Sequence, residues 1–203
     1  MTAYAELQVT TNYSFLRGGS HPDELVIAAQ ALGLAALGVA DRNTLAGVVR
    51  AHVAAKRVGL RLLVGACLLP EDGPAVLCYP EDRAAYGRLC RLLTLGKRRA
   101  EKGECRFTLA ELHDHAEGQV LILLPPERLT GTSGEAFRAQ LEDFARRHPG
   151  ACYLAASMLY RGDDARRLAR LAALAEVSGV PLVATNDARL HLPERKALLD
   201  VVT

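Results

Sequence analysis

Short apolar runs alternate with longer stretches of helical period along nearly the whole chain, and this alternation restricts the fold more than any other feature. Strand-like runs fall near residues 5–9, 36–40, 62–67, 75–79, 120–124, 152–156 and 182–185. Helical patterns begin near Pro22, Leu45, Glu81, Thr108, Gly134, Asp164 and Pro193. Strands separated by helices pack as βα units around a parallel sheet, because each amphipathic helix needs a sheet face to cover. The punctuation agrees. Pro22 follows Ser20 and His21 at a helix start, Asp163 and Asp164 suit another helix N-terminus, and Gly33, Gly59 and Gly179 each close a helical run ahead of a strand. The pattern predicts a parallel barrel or a doubly wound sheet, and periodicity alone leaves both open. In either, ligands gather at the carboxyl ends of the strands.

Half of the 203 residues are hydrophobic, enough for one sizeable core, so one domain over residues 1–203 is expected. The charge is nearly balanced, 25 Lys and Arg against 23 Asp and Glu. Binding of nucleic acid or membrane by the chain as a whole is therefore not indicated, and such contacts would have to be local. The cysteines Cys67, Cys78, Cys90, Cys105 and Cys152 are odd in number and lack CxxC spacing, as expected of a reduced, cytoplasmic protein. The opening MTAYAELQVTT has no basic region followed by an apolar run, and no apolar stretch approaches the roughly 18 residues that span a bilayer. There is no GxSxG, no Gly-rich phosphate loop and no dinucleotide fingerprint, so nucleophilic catalysis finds no foothold.

The first strand reads ELQVTTNYSFLRG and leads into PDELVIAAQALG. A second follows as ALGVADRNTLAG, a third as LLVGAC, and the chain closes with PLVATNDARLHLPERKALLDVVT. These blocks resemble the PHP (polymerase and histidinol phosphatase) family, whose first strand carries HxH, whose second ends in TDH, whose third ends in GxE and whose last carries DxH. Within that family SHPDEL, LAGVVRAH, RLLTLGKRRAEKGE and RKALLDVVT are similar to the N-terminal domains of bacterial error-prone, ImuC-type polymerases, relatives of the DNA polymerase III alpha subunit. The resemblance implies a distorted seven-stranded (βα) barrel.

The departures from the family pattern decide the expected chemistry. Gln8 and Thr10 stand where the resemblance places two histidines, Asp41 keeps the aspartate of TDH while Arg42 replaces its histidine, Cys67 stands at the glutamate of GxE, and at DxH Asp187 keeps the aspartate while Arg189 replaces the histidine. Ala75 aligns with a further histidine of active members. An amide and a hydroxyl are poor ligands for transition metals, and a guanidinium offers only donors. The expectation is a domain without catalytic residues, bound metal or cofactor, in which Arg42 and Arg189 pair with Asp41 or Asp187 and replace the lost positive charge. The alternative is a metal-dependent phosphoesterase with an altered ligand set of Asp41, Cys67, Asp187 and His191.

Other candidates carry less. Lys97, Arg98, Arg99 and Lys102, following Arg88 and Arg91, form a basic run that could touch phosphates or another protein surface, although a solvated face is the commoner reason for such runs. Arg166, Arg167 and Arg170 pose the same choice. His113 and His115 are two apart, so they do not share a helix face, and a solvated helix end is expected. The resemblance further implies that the rest of a DNA polymerase chain is the main partner, with mutagenesis-complex proteins as further ones, and that DNA is reached through that parent. Its synthetic centre, with magnesium, would lie in a palm domain beyond Thr203. No membrane partner is expected.

Overall fold

The computed structural model describes residues 3–202; Thr203, the last residue of the apolar closing segment, lies outside them, as do Met1 and Thr2. In chain order the elements are β1 (Ala5–Val9), α1 (Pro22–Ala31), β2 (Ala36–Arg42), α2 (Val48–Val58), β3 (Arg61–Leu68), β4 (Val76–Pro80), α3 (Arg83–Arg98), α4 (Leu109–Asp114), β5 (Gln119–Leu123), α5 (Gly131–Arg147), β6 (Cys152–Ala156), α6 (Asp164–Ser178), β7 (Leu182–Ala184), a 3-10 turn (Pro193–Arg195) and α7 (Lys196–Val202). The strands fall where the apolar runs predict them. The helix starts move by up to three residues. Thr44 Oγ1 accepts from the Ala46 N–H and holds a turn where α2 was expected to begin, which delays the helix to Val48.

The residues cluster into two compact units, one of Met1–Cys67 with Thr185–Thr203 and one of Leu68–Ala184. In the first, β1 runs parallel to β2, and β2 parallel to β3 over an unbroken register from Ala36↔Arg61 to Arg42↔Cys67. Between Glu6 and Val9 the β1 register slips, a bulge of the kind that re-aims side chains near strand ends. Ala188 pairs with the end of β1, its N–H donating to Gln8 O and its carbonyl accepting from Thr10 N at 2.8 and 2.9 Å. Apolar side chains spaced three and four apart, Leu25, Val26 and Ala29 on α1 and Ala51, Ala54 and Ala55 on α2, close over Val9, Leu37 and Val39. The small alanines let α2 sit close to the sheet. Because β1, β2 and β3 are parallel, their carboxyl ends share one edge, where Thr10, Arg42 and Cys67 lie.

In the second unit β5, β6 and β7 are parallel, but β4 is antiparallel to β5, from Val76↔Leu123 to Pro80↔Gln119. This corrects the all-parallel expectation. Between β4 and β5 lie the two helices expected from the sequence, and they bring the chain back in at the edge where it left, with Glu81 N donating to Gly118 O. Asp82 caps α3 by accepting from Ala85 N, and Thr108 with Glu111 forms a capping box on α4. Leu89, Leu92, Phe107, Leu121, Leu123, Leu141, Phe144 and Leu154 are buried in this unit, each contributing roughly 1.5–3 kcal/mol of apolar burial. No helix among the described residues is long and apolar enough to cross a membrane.

Candidate functional site

All seven residues at the expected metal-ligand positions belong to the first unit. Asp41, at the end of β2, is buried, and both of its carboxylate oxygens are already engaged. Oδ1 accepts from the Thr11 N–H at 2.8 Å and from Ser14 Oγ at 2.6 Å, while Oδ2 accepts from Thr11 Oγ1 at 2.8 Å. Burial pushes the Asp41 pKa up, and the bonds from Ser14 and Thr11 oppose that shift. Ser14 Oγ also accepts from the Arg42 N–H at 2.9 Å, so one hydroxyl fastens the loop after β1 to the end of β2.

The loop is tight. Gly18 packs so closely on the Thr11 backbone that a Cβ there would stand 2.1 Å from the Thr11 carbonyl oxygen. Asn12 N donates to Ser20 O, and Gly19 N to Arg189 O, which ties the loop to the segment carrying Asp187.

Arg189 pairs with Asp187, as the substitution pattern predicts. The other half of that expectation is corrected: Asp41 takes hydroxyls and a backbone amide instead of a guanidinium, because Thr11 and Ser14 reach its oxygens from the adjoining loop. Arg42 is exposed, and among the described ion pairs it has no carboxylate partner. Desolvation of the part of its side chain that is covered, followed by the positive charge of Arg17, lowers its pKa. Cys67 lies opposite Arg42 in the register, and burial holds its thiol protonated, with the pKa pushed up to about 12. Gln8 Oε1 accepts from Thr185 Oγ1 at 2.9 Å, and Thr10 is buried.

His191 does not join this group in a ligand geometry. Its Nδ1 lies 2.7 Å from Ser20 Oγ and 3.6 Å from Glu24 Oε2, at the start of α1. Among the described residues no three or more His, Cys, Asp or Glu side chains are placed to hold one metal ion. The donor set does not fit a multinuclear phosphoesterase centre, which needs several imidazoles and carboxylates with free lone pairs. Here an amide, a hydroxyl and two guanidiniums stand at ligand positions, and three of the roughly four Asp41 lone-pair sites already accept hydrogen bonds.

Sequence reasoning missed a second buried carboxylate in this unit. Glu6 accepts from Gln8 N at 2.7 Å, from Asn186 N at 3.0 Å and from Tyr4 OH at 2.8 Å. Burial raises its pKa despite those bonds. Its place two residues before Gln8 was the available signal.

In the second unit, the basic run proves to be the end of α3 and the turn after it. Arg99 forms a forked pair with Glu111, at 2.8 and 3.0 Å, while Arg98 lines a groove with Cys90, Arg91, Thr94 and Leu95, and Lys102 is exposed. Arg167 is neither a solvated nor a surface-contact residue: it is buried and donates to the carbonyls of Pro126 and Glu127 at 2.9 and 2.7 Å. His113 also departs from the solvated end expected of it. It packs against Phe144, and its Nδ1 lies 2.8 Å from His148 Nε2. His115 turns back to the Glu111 carbonyl.

A PHP domain model matches residues 6–164. The chain is 53% identical over 201 residues to an error-prone DNA polymerase of Caulobacter vibrioides, covering 98% of this chain and 18% of that protein. It is 52% identical over 206 residues to an error-prone DNA polymerase of Rhodopseudomonas palustris, again covering 99% of this chain and 18% of the relative. The chain thus spans under a fifth of the length of these curated relatives. Among solved structures, an amidohydrolase from Chromobacterium violaceum with bound sulfate and no metal superposes with a TM-score of 0.69 at 16% identity, over 92% of this chain and 88% of that one. A Bifidobacterium adolescentis protein described as a metal-dependent phosphoesterase gives 0.68 at 16% identity, over 95% and 90%. These likenesses establish the fold, an α/β chain with seven strands of the type expected from the sequence.

Proposed function

The chain belongs to the PHP domain family, and from that premise we propose that its 203 residues form one PHP domain of a cytoplasmic error-prone DNA polymerase, a domain that binds no catalytic metal and serves as scaffold and docking surface. The observation that carries the proposal is the state of Asp41. The one carboxylate retained beside Arg42 accepts three hydrogen bonds from Thr11 and Ser14, two on Oδ1 and one on Oδ2, so that a single lone-pair site is left for an ion. Arg42 and Arg189 add fixed positive charge at the same strand ends, and a cation bound there would meet repulsion instead of ligands.

Similarity over nearly the whole chain to polymerases more than five times longer supports a part in a larger enzyme of damage-induced DNA synthesis. Nucleotide addition would belong to a magnesium-dependent palm domain elsewhere in that parent, with the rest of its chain, and proteins of a mutagenesis complex, as partners. A domain that cannot hydrolyse phosphodiesters would supply no proofreading, which suits mutagenic synthesis.

The rival, a metal-dependent phosphoesterase, draws on the likeness to such a protein. Its ligand set of Asp41, Cys67, Asp187 and His191 would require the Thr11 and Ser14 bonds to break, a thiol held protonated by burial to ionise, Asp187 to leave Arg189, and His191 to leave Ser20. Hydrolysis assays on phosphomonoester and phosphodiester substrates with added manganese or zinc test the choice. The wild-type chain is expected to show no metal-dependent turnover, whereas a variant carrying Gln8→His, Thr10→His, Arg42→His, Cys67→Glu and Arg189→His is expected to regain metal binding. Turnover by the wild type that is lost in Asp187→Ala would overturn the proposal.

A further inference from the structure

The strand ends that carry no fitting metal ligands carry an excess of positive charge. Arg17 and Arg42 both bond through their backbone N–H to Ser14, Arg42 lies within electrostatic reach of Arg17, Arg189 and Asp187, and Asp187 forms its ion pair with Arg189. Cys67 is neutral, and Asp41 is buried beneath the loop. Two exposed guanidiniums, Arg17 and Arg42, are therefore left facing solvent at the carboxyl edge of three parallel strands, the edge where ligands bind in α/β folds.

The loop that brings Arg17 there holds apolar side chains out into water. Phe15 is 85% exposed, Leu16 51% and Tyr13 39%. This is no loose segment: Ser14, between Tyr13 and Phe15, is bonded to Asp41 and to the Arg42 N–H, and the Gly18 contact with the Thr11 backbone closes the turn. Leu16 is held at a φ of 58°, a left-handed conformation that a branched side chain adopts at a cost. Exposed aromatics on a fastened loop that carries one guanidinium and bonds to the backbone of another are the pairing that receives a base by stacking and its phosphate by charge-assisted hydrogen bonds.

We infer that the carboxyl edge of β1, β2 and β3 binds a nucleotide unit, its phosphate held between Arg17 and Arg42 and its base stacked on Phe15 or Tyr13. The inference deepens the metal-free reading above and rests on it, because the arginines occupy the positions that cations would otherwise fill. A free nucleotide and a unit of a single strand present the same chemistry.

Isothermal titration of the chain in low salt, without added metal, tests the site with inorganic phosphate, deoxyadenosine monophosphate and a short single-stranded oligonucleotide. Deoxyadenosine monophosphate is expected to bind more tightly than phosphate, with Arg42→Ala and Arg17→Ala each weakening it about tenfold. Phe15→Ala is expected to weaken nucleotide binding severalfold and to leave phosphate unchanged. The three side chains are exposed, so the variants should fold, and circular dichroism checks that they do. Tighter binding of the oligonucleotide would identify a strand as the source, and equal binding a free nucleotide; both support the inference. Equal affinity for phosphate and nucleotide, no saturable nucleotide binding, or binding indifferent to Arg42→Ala would overturn it. Nucleotide binding that appears only on adding manganese or zinc would instead overturn the metal-free premise.

Discussion

Asp41 shows how hydrogen bonds can accommodate a buried carboxylate. A buried carboxylate needs a cation, a guanidinium or hydrogen-bond donors, and in this chain Thr11 and Ser14 supply the donors. Removing Ser14 Oγ leaves one Asp41 lone pair and the Arg42 N–H unmatched, so Ser14→Ala should cost about 1–3 kcal/mol in urea unfolding. The Asp41 pKa is raised, so its contribution to stability is fully present below the ordinary carboxylate range and is lost as pH rises through the elevated folded value. Asp41→Asn cannot titrate, and its amide can donate to Thr11 Oγ1. The stability of the wild type relative to Asp41→Asn should therefore fall as pH rises from about 4 to 8; a flat difference would contradict the assignment. Gly18→Ala belongs to the same scale. Its Cβ would collide with the backbone of Thr11, and a loss of about 2 kcal/mol is expected in the same assay. The sequence made Asp41 and Arg42 visible as a pair of adjacent charges, yet it could not show which donors would reach the carboxylate. That depends on a loop conformation set by Gly18 and Ser14, not on any periodic pattern.

At the scale of elements, two contacts in the second unit fix what the helices pack against. The buried Arg167 guanidinium ties α6 to the carbonyls of the loop at Pro126 and Glu127. Arg167→Met keeps much of the apolar stem but abandons both carbonyls, and should destabilise the chain by about 2 kcal/mol, measured by chemical denaturation. The His113–His148 contact joins α4 to the end of α5. Burial depresses both pKa values, so the neutral forms are favoured in the folded state. Their contribution is present above the unfolded histidine pKa and is lost as pH falls below it. Stability should therefore drop between about pH 7 and pH 5, with a shallower slope in His148→Asn. Apolar runs located the strands because burial of alternate or continuous side chains leaves a direct mark on sequence. The antiparallel pairing of β4 with β5 left no such mark, since a strand's run reads the same in either direction. The histidine contact was hidden for another reason: its partners stand 35 residues apart, and neighbouring positions gave only the misleading HDH run.

For the molecule as a whole, the fold was legible in the βα alternation and in the family resemblance, and the family match and structural likenesses agree with it. The site was legible as a set of replaced ligand types, because an arginine or a glutamine rules itself out as a metal ligand in any conformation. What surrounds those positions became visible only in the folded chain: the donors on Asp41, the Arg189–Asp187 pair and the exposed aromatics on the loop that carries Arg17 and bonds to Arg42. The central claim is that these strand ends hold charge by hydrogen bonds and guanidinium in place of cations. It is tested most directly by measuring metals in the chain purified without chelator and dialysed against zinc, manganese and iron. The account predicts far less than one ion per chain, unchanged in Asp41→Asn and Asp187→Asn; one or more ions per chain, lost in those two variants, would contradict it.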